Sequence, residues 1–379
     1  MDFALNEEQQ MLRQTVREFA QEVVKPRAAE IDESGEFPFD IVKQASELGL
    51  MGVAVPEEYG GAGMDYLSYA IAIEEISKAC GTTGVILSVN NSLVCDPLVK
   101  FASEEQKKRI LTPLAAGEKI GALALTEAGA GTDAAAVTTT AVRDGDDYVL
   151  NGSKLFISNG GVADWFIVST TVDRSKKHKG MVCFAVEKGT PGFTVGKEEQ
   201  KLGIHASSCV ELHFEDCRVP ATDRIGEESQ GFKVAMYTLD GGRIGIAAQA
   251  LGIAEGALEE AIPYAKQREQ FGKPIASFQG IQWMLAEMKA KVEGARWLVY
   301  NAAWAKQNMA RSSTESAIAK LVAARTATEV THDALQIFGG YGYTKEFPLE
   351  RFYRDARITE IYEGTNEVQK IVIAKDLLR

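Results

Sequence analysis

Glu363 stands between an aromatic ring and a glycine in Ile361-Tyr362-Glu363-Gly364-Thr365-Asn366. A carboxylate that works as a general base needs a short, fixed tether and a water-poor setting that lifts its pKa toward the working pH. Tyr362 can wall off solvent, and Gly364, lacking a Cβ, lets a ligand approach the backbone. On spacing alone the same residues also read as the start of a helix through Val368, Ile371, Val372, Ala374 and Leu377. Thr365 or Asn366 would then be its cap and Glu363 an acid that favours its N-terminal dipole.

Four other stretches carry chemistry. Leu123-Ala-Leu125-Thr126-Glu-Ala-Gly-Ala-Gly131-Thr132-Asp133 concentrates backbone donors and two hydroxyls, which suits a polar cofactor. A tight strand-to-strand turn explains that loop as well. Asn151-Gly-Ser-Lys-Leu-Phe156-Ile157-Ser158-Asn159 reads as a half-buried strand. Arg268-Glu-Gln-Phe271-Gly-Lys-Pro274 supplies the glycine and proline that end one helix and redirect the chain. Leu239-Asp240-Gly-Gly-Arg243-Ile-Gly-Ile-Ala-Ala-Gln-Ala-Leu-Gly252 holds four glycines in a helical stretch. Each costs about 1 kcal/mol against alanine, so close packing on a ligand or another helix must offset them.

The elements that must position these residues follow from changes of period. Met11, Val16, Phe19 and Val23, then Ile41, Ala45 and Leu48, recur at helical spacing. Joints at 55–63 and 80–84 separate these helices. From Val137 to Val219 β-branched and aromatic residues dominate, broken by the turns at 143–147 and 189–192. The expected strands are 138–142, 148–150, 154–157, 165–170, 181–187 and 210–214, with the charged run Lys176-Lys-His-Lys179 as a solvated hairpin tip. Helical spacing returns near Gln230 and predicts long helices over 232–265, 278–308 and 314–338. The expected fold is therefore α+β, divided into an N-terminal helical domain (1–117), a middle antiparallel β domain (118–229) and a C-terminal helical bundle (230–379). That order lies outside the alternating βαβ pattern of a dinucleotide-binding sheet.

Composition narrows the function. The 379 residues are too many for one ordinary core, and 45% hydrophobic with 25% charged residues is the balance of a globular chain. A net charge of -12 argues against nucleic acid as a partner. Five cysteines without C-x-x-C spacing and four unpaired histidines give no expectation of a disulfide framework or a metal site. The acidic N-terminus and the lack of a long apolar run lead to the expectation of a cytoplasmic protein, complete from its first residue, with no membrane span.

The segment from Arg354 to Gln369 resembles the C-terminal signature of the acyl-CoA dehydrogenases, in whose short- and medium-chain members the Glu of this motif removes the substrate α-proton. The resemblance implies FAD as cofactor and assigns roles residue by residue. Leu123, Leu125, Thr126, Gly131 and Thr132 match the flavin-contact motif, with Ala128 in its usual proline position. Phe156, where many members have Trp, would pack the isoalloxazine, and Ile157 and Ser158 continue that strand. Arg268, Phe271 and Gln279 match positions that reach the FAD of a neighbouring subunit. Gln336, Ile337, Gly339 and Gly340 match the adenosine and pyrophosphate contact, and Thr365 and Glu367 would meet the cofactor at the last helix.

Substrate contacts implied in the same way are Thr132, Asp240, Arg243, Tyr362 and Gly364, with Asp240 and Arg243 on the coenzyme A portion. The stretch 239–252 is similar to the short-chain, butyryl-CoA members, and Gly242 occupies the place where isovaleryl- and long-chain-type enzymes carry their base. The activity implied is dehydrogenation of a short acyl-CoA to its trans-2-enoyl product. The Glu363 N–H and a ribityl hydroxyl of the FAD would polarise the thioester, and electrons would pass to electron-transferring flavoprotein. Branched, glutaryl or cyclic acyl groups are the alternatives, as is a non-catalytic, DNA-associated flavoprotein of the same family. The resemblance also implies a homo-oligomer, at least a dimer and typically a tetramer.

Overall fold

The computed structural model describes residues 4–379. Met1, Asp2 and Phe3, the start of the acidic N-terminus, lie outside the described residues. The first helix, Glu7–Phe19, begins at Asn6, whose side chain accepts from the Gln9 N–H while Gln9 reaches back, a capping box. Tyr66–Ala79 is buried on almost every face, and Asp65 caps it through the Ser68 N–H.

The middle region is one eight-stranded sheet. Its strands are β1 (Gly121–Ala124), β2 (Thr140–Asp144), β3 (Asp147–Ser158), β4 (Trp165–Thr171), β5 (Met181–Glu187), β6 (Phe193–Glu198), β7 (Cys209–Pro220) and β8 (Arg224–Ile225). They lie in the order β6-β7-β3-β2-β4-β5-β8, with β1 beside β4. Every pairing is antiparallel except β1 with β4 and the single β2–β4 bridge, which are parallel. Two expected runs, 148–150 and 154–157, are halves of the single bulged strand β3. β1 escapes a sequence reading because Gly-Ala-Leu-Ala has no β-branched residue; parallel pairing and burial, not propensity, make it a strand. The run 176–179 does join the antiparallel pair β4 and β5.

Three long helices follow, Gly231–Gln267, Gln279–Asn308 and Ser313–Phe338, then Leu349–Ile358 and Asn366–Leu377. Between the first two, a two-stranded hairpin at 269–274 turns through Phe271 and Gly272, both left-handed. The glycines of the long helix meet other helices. A Cβ on Gly252 would fall 2.3 Å from the Glu74 carbonyl oxygen, and one on Gly245 would fall 2.2 Å from the Tyr69 hydroxyl. Helix 231–267 therefore lies directly on helix 66–79, and one apolar core joins the N- and C-terminal helical regions. Among the described residues no helix is long and apolar enough to cross a membrane.

Candidate active site

Helix Leu349–Ile358 ends at Thr359, and the chain turns through Glu360–Gly364 before Thr365 caps the last helix, its hydroxyl accepting from the Val368 N–H at 3.3 Å. Within that turn Glu363 and Gly364 are both left-handed, at φ 53° and 89°. A glutamate in that region costs about 1 kcal/mol or more, so surrounding bonds must hold it there. The Asn366 N–H donates to the Glu360 carbonyl at 3.0 Å. The Gly364 carbonyl accepts from Gln369 Nε2 and from Lys320 Nζ, each at 2.8 Å. The Tyr362 hydroxyl donates to Gln249 Oε1 on the long helix, whose Nε2 in turn donates to the Gly81 carbonyl at 2.8 Å.

This geometry sends the Glu363 side chain against the long helix at Gly242. A Cβ built there would lie 1.7 Å from Oε2, so the missing side chain is the space the carboxylate fills. Glu363 is half-buried as a residue, but Oε2 is shielded from water and accepts no hydrogen bond among the described residues. Burial lifts its pKa to about 7, with the Lys320 and Arg243 charges pulling it back down. Arg243 is itself buried and donates from Nη1 to Asp240 Oδ1 at 2.6 Å, while Asp240 Oδ2 accepts from the Ser313 hydroxyl at 2.6 Å. Burial depresses the Arg243 pKa, against the pull of Asp240 and Glu363. An unpaired, water-poor carboxylate poised near neutrality beside a glycine-lined helix is equipped to take a weakly acidic proton.

Three family models cover the chain in order: acyl-CoA dehydrogenase, N-terminal domain over 6–118, middle domain over 122–217 and C-terminal domain over 229–378. The chain belongs to the acyl-CoA dehydrogenase family. It is similar to a short-chain specific acyl-CoA dehydrogenase of Clostridium acetobutylicum, 58% identical over the whole of both chains. The mitochondrial short-chain specific enzyme of Rattus norvegicus is 53% identical over 99% of this chain and 91% of that protein. Among solved structures, butyryl-CoA dehydrogenase from Megasphaera elsdenii superposes with a TM-score of 0.98 at 49% identity, covering all of both chains. A chain in a structure described as the electron transferring flavoprotein of Acidaminococcus fermentans matches with a TM-score of 0.99 at 52% identity, again over all of both chains.

In this dehydrogenase the residues expected at a flavin fall into two groups. Leu123 lies in β1, and Leu125, Thr126, Gly131 and Thr132 follow it, the last two exposed. The Thr126 carbonyl accepts from the Leu155 N–H at 2.9 Å, tying this loop to β3. There β3 bulges, Phe156 turns left-handed at φ 58° and is 58% exposed, Ile157 is buried and Ser158 half-buried. The second group, Arg268, Phe271, Gln279, Gln336, Ile337, Gly339 and Gly340, lies around the 269–274 hairpin and the end of helix 313–338. Arg268 lies over the Tyr341 ring at 5.9 Å. Among the described residues no hydrogen bond, ion pair or ring contact joins the two groups. The surfaces fit a large planar cofactor: Phe156 is bare, Phe271 is 93% exposed, and a Cβ on Gly129, Gly131, Gly339 or Gly340 would meet nothing within 4 Å. Glu367 is exposed and pairs with Lys370 at 3.3 Å.

Three further residues here stand outside the set expected from the sequence. Lys320, bonded to the Glu363–Gly364 turn, and the pair Glu127 and Lys154, bonded to the loop after β1, are buried charges. Lys154 Nζ donates to Glu127 Oε1 at 2.7 Å and to the Leu125 carbonyl at 3.1 Å. Glu127 also accepts from the N–H and hydroxyl groups of Thr138 and Thr139. Lys154 follows alternation in β3 and points to the core, which is the one signal that marked it.

Proposed function

We propose that Glu363 removes the α-proton of a short-chain acyl-CoA, with butyryl-CoA as the preferred substrate and the trans-2-enoyl-CoA as product. The observation that carries this reading is the buried, unpaired Oε2 over Gly242. A thioester α-proton is too weak an acid for a carboxylate unaided, so the carbonyl must be polarised. The Glu363 N–H donates to no group of the chain among the described residues, and the left-handed turn leaves it available to the thioester oxygen. Thr132, Tyr362 and Gly364 would line the acyl thioester, and Asp240 and Arg243 the coenzyme A side. Substrate entering the site would displace water and strengthen each of these contacts.

FAD would accept the electrons and the hydrogen that leave the β-carbon. Leu123, Leu125, Thr126, Gly131, Thr132, Phe156, Ile157, Ser158, Thr365 and Glu367 would hold it from one subunit. Arg268, Phe271, Gln279, Gln336, Ile337, Gly339 and Gly340 would come from a neighbour, which requires a homo-oligomer, read as a tetramer. Electron-transferring flavoprotein is the proposed acceptor and the cytoplasm the proposed compartment, in keeping with five free cysteines. Functional units are taken as 1–117, 118–229 and 230–379.

A chain-length series of acyl-CoA substrates with an artificial electron acceptor tests the substrate, and a maximum at eight carbons or longer would overturn it. Glu363→Gln tests the base. That variant should bind acyl-CoA and FAD yet leave the flavin unbleached, whereas bleaching at the native rate would remove Glu363 from the chemistry.

A further inference from the structure

Lys320 is fully buried in the N-terminal third of helix Ser313–Phe338. Burying an ammonium is costly unless it is paired and hydrogen-bonded, so its presence needs a cause. Among the described residues it makes no salt bridge. Its Nζ donates to the Gly364 carbonyl at 2.8 Å and approaches Asn366 Oδ1 at 3.5 Å. The first acceptor lies in the turn that carries Glu363 and the second opens the helix after it, and the Gly364 carbonyl is the same oxygen that Gln369 Nε2 holds from the other side at 2.8 Å. Two side-chain donors from two helices thus converge on one carbonyl directly after a strained, left-handed glutamate.

Resting on Glu363 as the base, we propose that Lys320 is its positioning residue. From the neighbouring helix it clamps the Gly364 carbonyl and holds the left-handed Glu363–Gly364 turn that aims the carboxylate at Gly242 and frees the Glu363 N–H. Gln369 supplies the second jaw without charge. The ammonium adds an electrostatic effect that Gln369 cannot. The groups that act on it are Glu363, Glu360 and Glu367 from the turn and last helix, and Arg243 from the long helix. Burial brings its pKa down to about 8, and these three acids oppose the fall. Near neutral pH it is therefore a cation close to the base, and it favours the carboxylate form that accepts the proton.

Lys320→Met removes both hydrogen bond and charge, and Lys320→Arg keeps the charge. The rate of flavin reduction by butyryl-CoA is followed across pH for both, alongside wild type and Glu363→Gln, and amide exchange is followed in the segment 360–366. A misplacement of the base by about 1 Å costs roughly 100-fold in rate. Lys320→Met should be slowed about 10- to 100-fold, with its acid limb moved to higher pH and exchange in 360–366 accelerated. Lys320→Arg should keep the wild-type acid limb. A folded Lys320→Met with native rate and native acid limb overturns the proposal.

If Lys320→Met does not fold, Gln369→Met carries the test. It removes the uncharged jaw alone, so the rate should fall and exchange in 360–366 should rise while the acid limb stays. A native rate, or a limb that moves, overturns the clamp. Bleaching at the native rate by Glu363→Gln would sink the base assignment by itself, and amide exchange would still report on the clamp.

Discussion

At the scale of single residues, Gly242 and Glu363 are two halves of one fit. A methyl at 242 would meet Oε2 at 1.7 Å and Leu93 Cδ2 at 2.7 Å, so the carboxylate must leave its place. Within a helix the same change gains about 1 kcal/mol of propensity. Crowding of the buried Leu93 offsets that gain, so Gly242→Ala should fold with a melting temperature at or modestly below wild type while dehydrogenation falls about 100-fold. Stopped-flow reduction of the flavin beside a thermal melt checks both halves, and an unaltered rate would mean the carboxylate works from somewhere other than its resting place. The acid, its aromatic neighbour and its glycine were legible because they are contiguous in the chain. Lys320 was not, since a lysine in a helix is ordinarily a solvated one. The available signal was its position on the stripe of Ser316, Ala317, Ala323, Ala324 and Ala327, all buried, where a solvated lysine has no place.

At the scale of elements, the loop after β1 keeps its shape through a buried ion pair. Burial alone would raise the Glu127 pKa, but Lys154 and the Thr138 and Thr139 donors overcome it and bring the group to about 2. A depressed carboxylate adds stability that is fully present above its unfolded pKa of about 4.5 and is lost as pH falls through about 2. Lys154→Met leaves Glu127 buried without its partner, at a cost of about 3–5 kcal/mol. Near pH 7 the variant should melt well below wild type and retain less FAD, and the gap in melting temperature should narrow as the solution is acidified through that window. A constant gap across pH would show that Glu127 is not the group left unpaired. Sequence period read β3 as two runs because Asn151-Gly152-Ser153 has the composition of a turn. The glycine is instead needed for close approach: at φ 146° a Cβ on Gly152 would fall 2.7 Å from Thr139 Cα, on the segment that Glu127 holds.

At the scale of the whole molecule, the order helical, β, helical could be read from changes of period, but the union of the two helical regions in one core could not. That union depends on where glycines meet distant backbones, as at Gly252 and Glu74, and on charges that pair across the chain. Arg354 Nη1 donates to Asp32 Oδ1 at 3.0 Å, and the neighbouring Asp355 Oδ1 accepts from the Ile204 N–H at 2.6 Å, so all three regions meet there. The outer face of helix 279–308 carries three large aromatics. Trp283, Trp297 and Trp304 recur at multiples of seven residues, a spacing that drifts only about 20° per seven residues, and they are 61%, 45% and 54% exposed. Large aromatics grouped on one exposed face suit contact with another protein. The adjacent Arg268, Phe271 and Gln279 are the residues proposed to reach a neighbour's cofactor, so the proposed second copy of this chain would account for both. Trp283→Glu combined with Trp304→Glu would bury charge at that contact, and sedimentation should show a smaller particle. FAD content should fall with it, because half of the proposed cofactor site would leave with the neighbouring subunit. A variant of native mass, or a smaller one that keeps its full complement of FAD, would separate the aromatic face from the cofactor and refute the shared site.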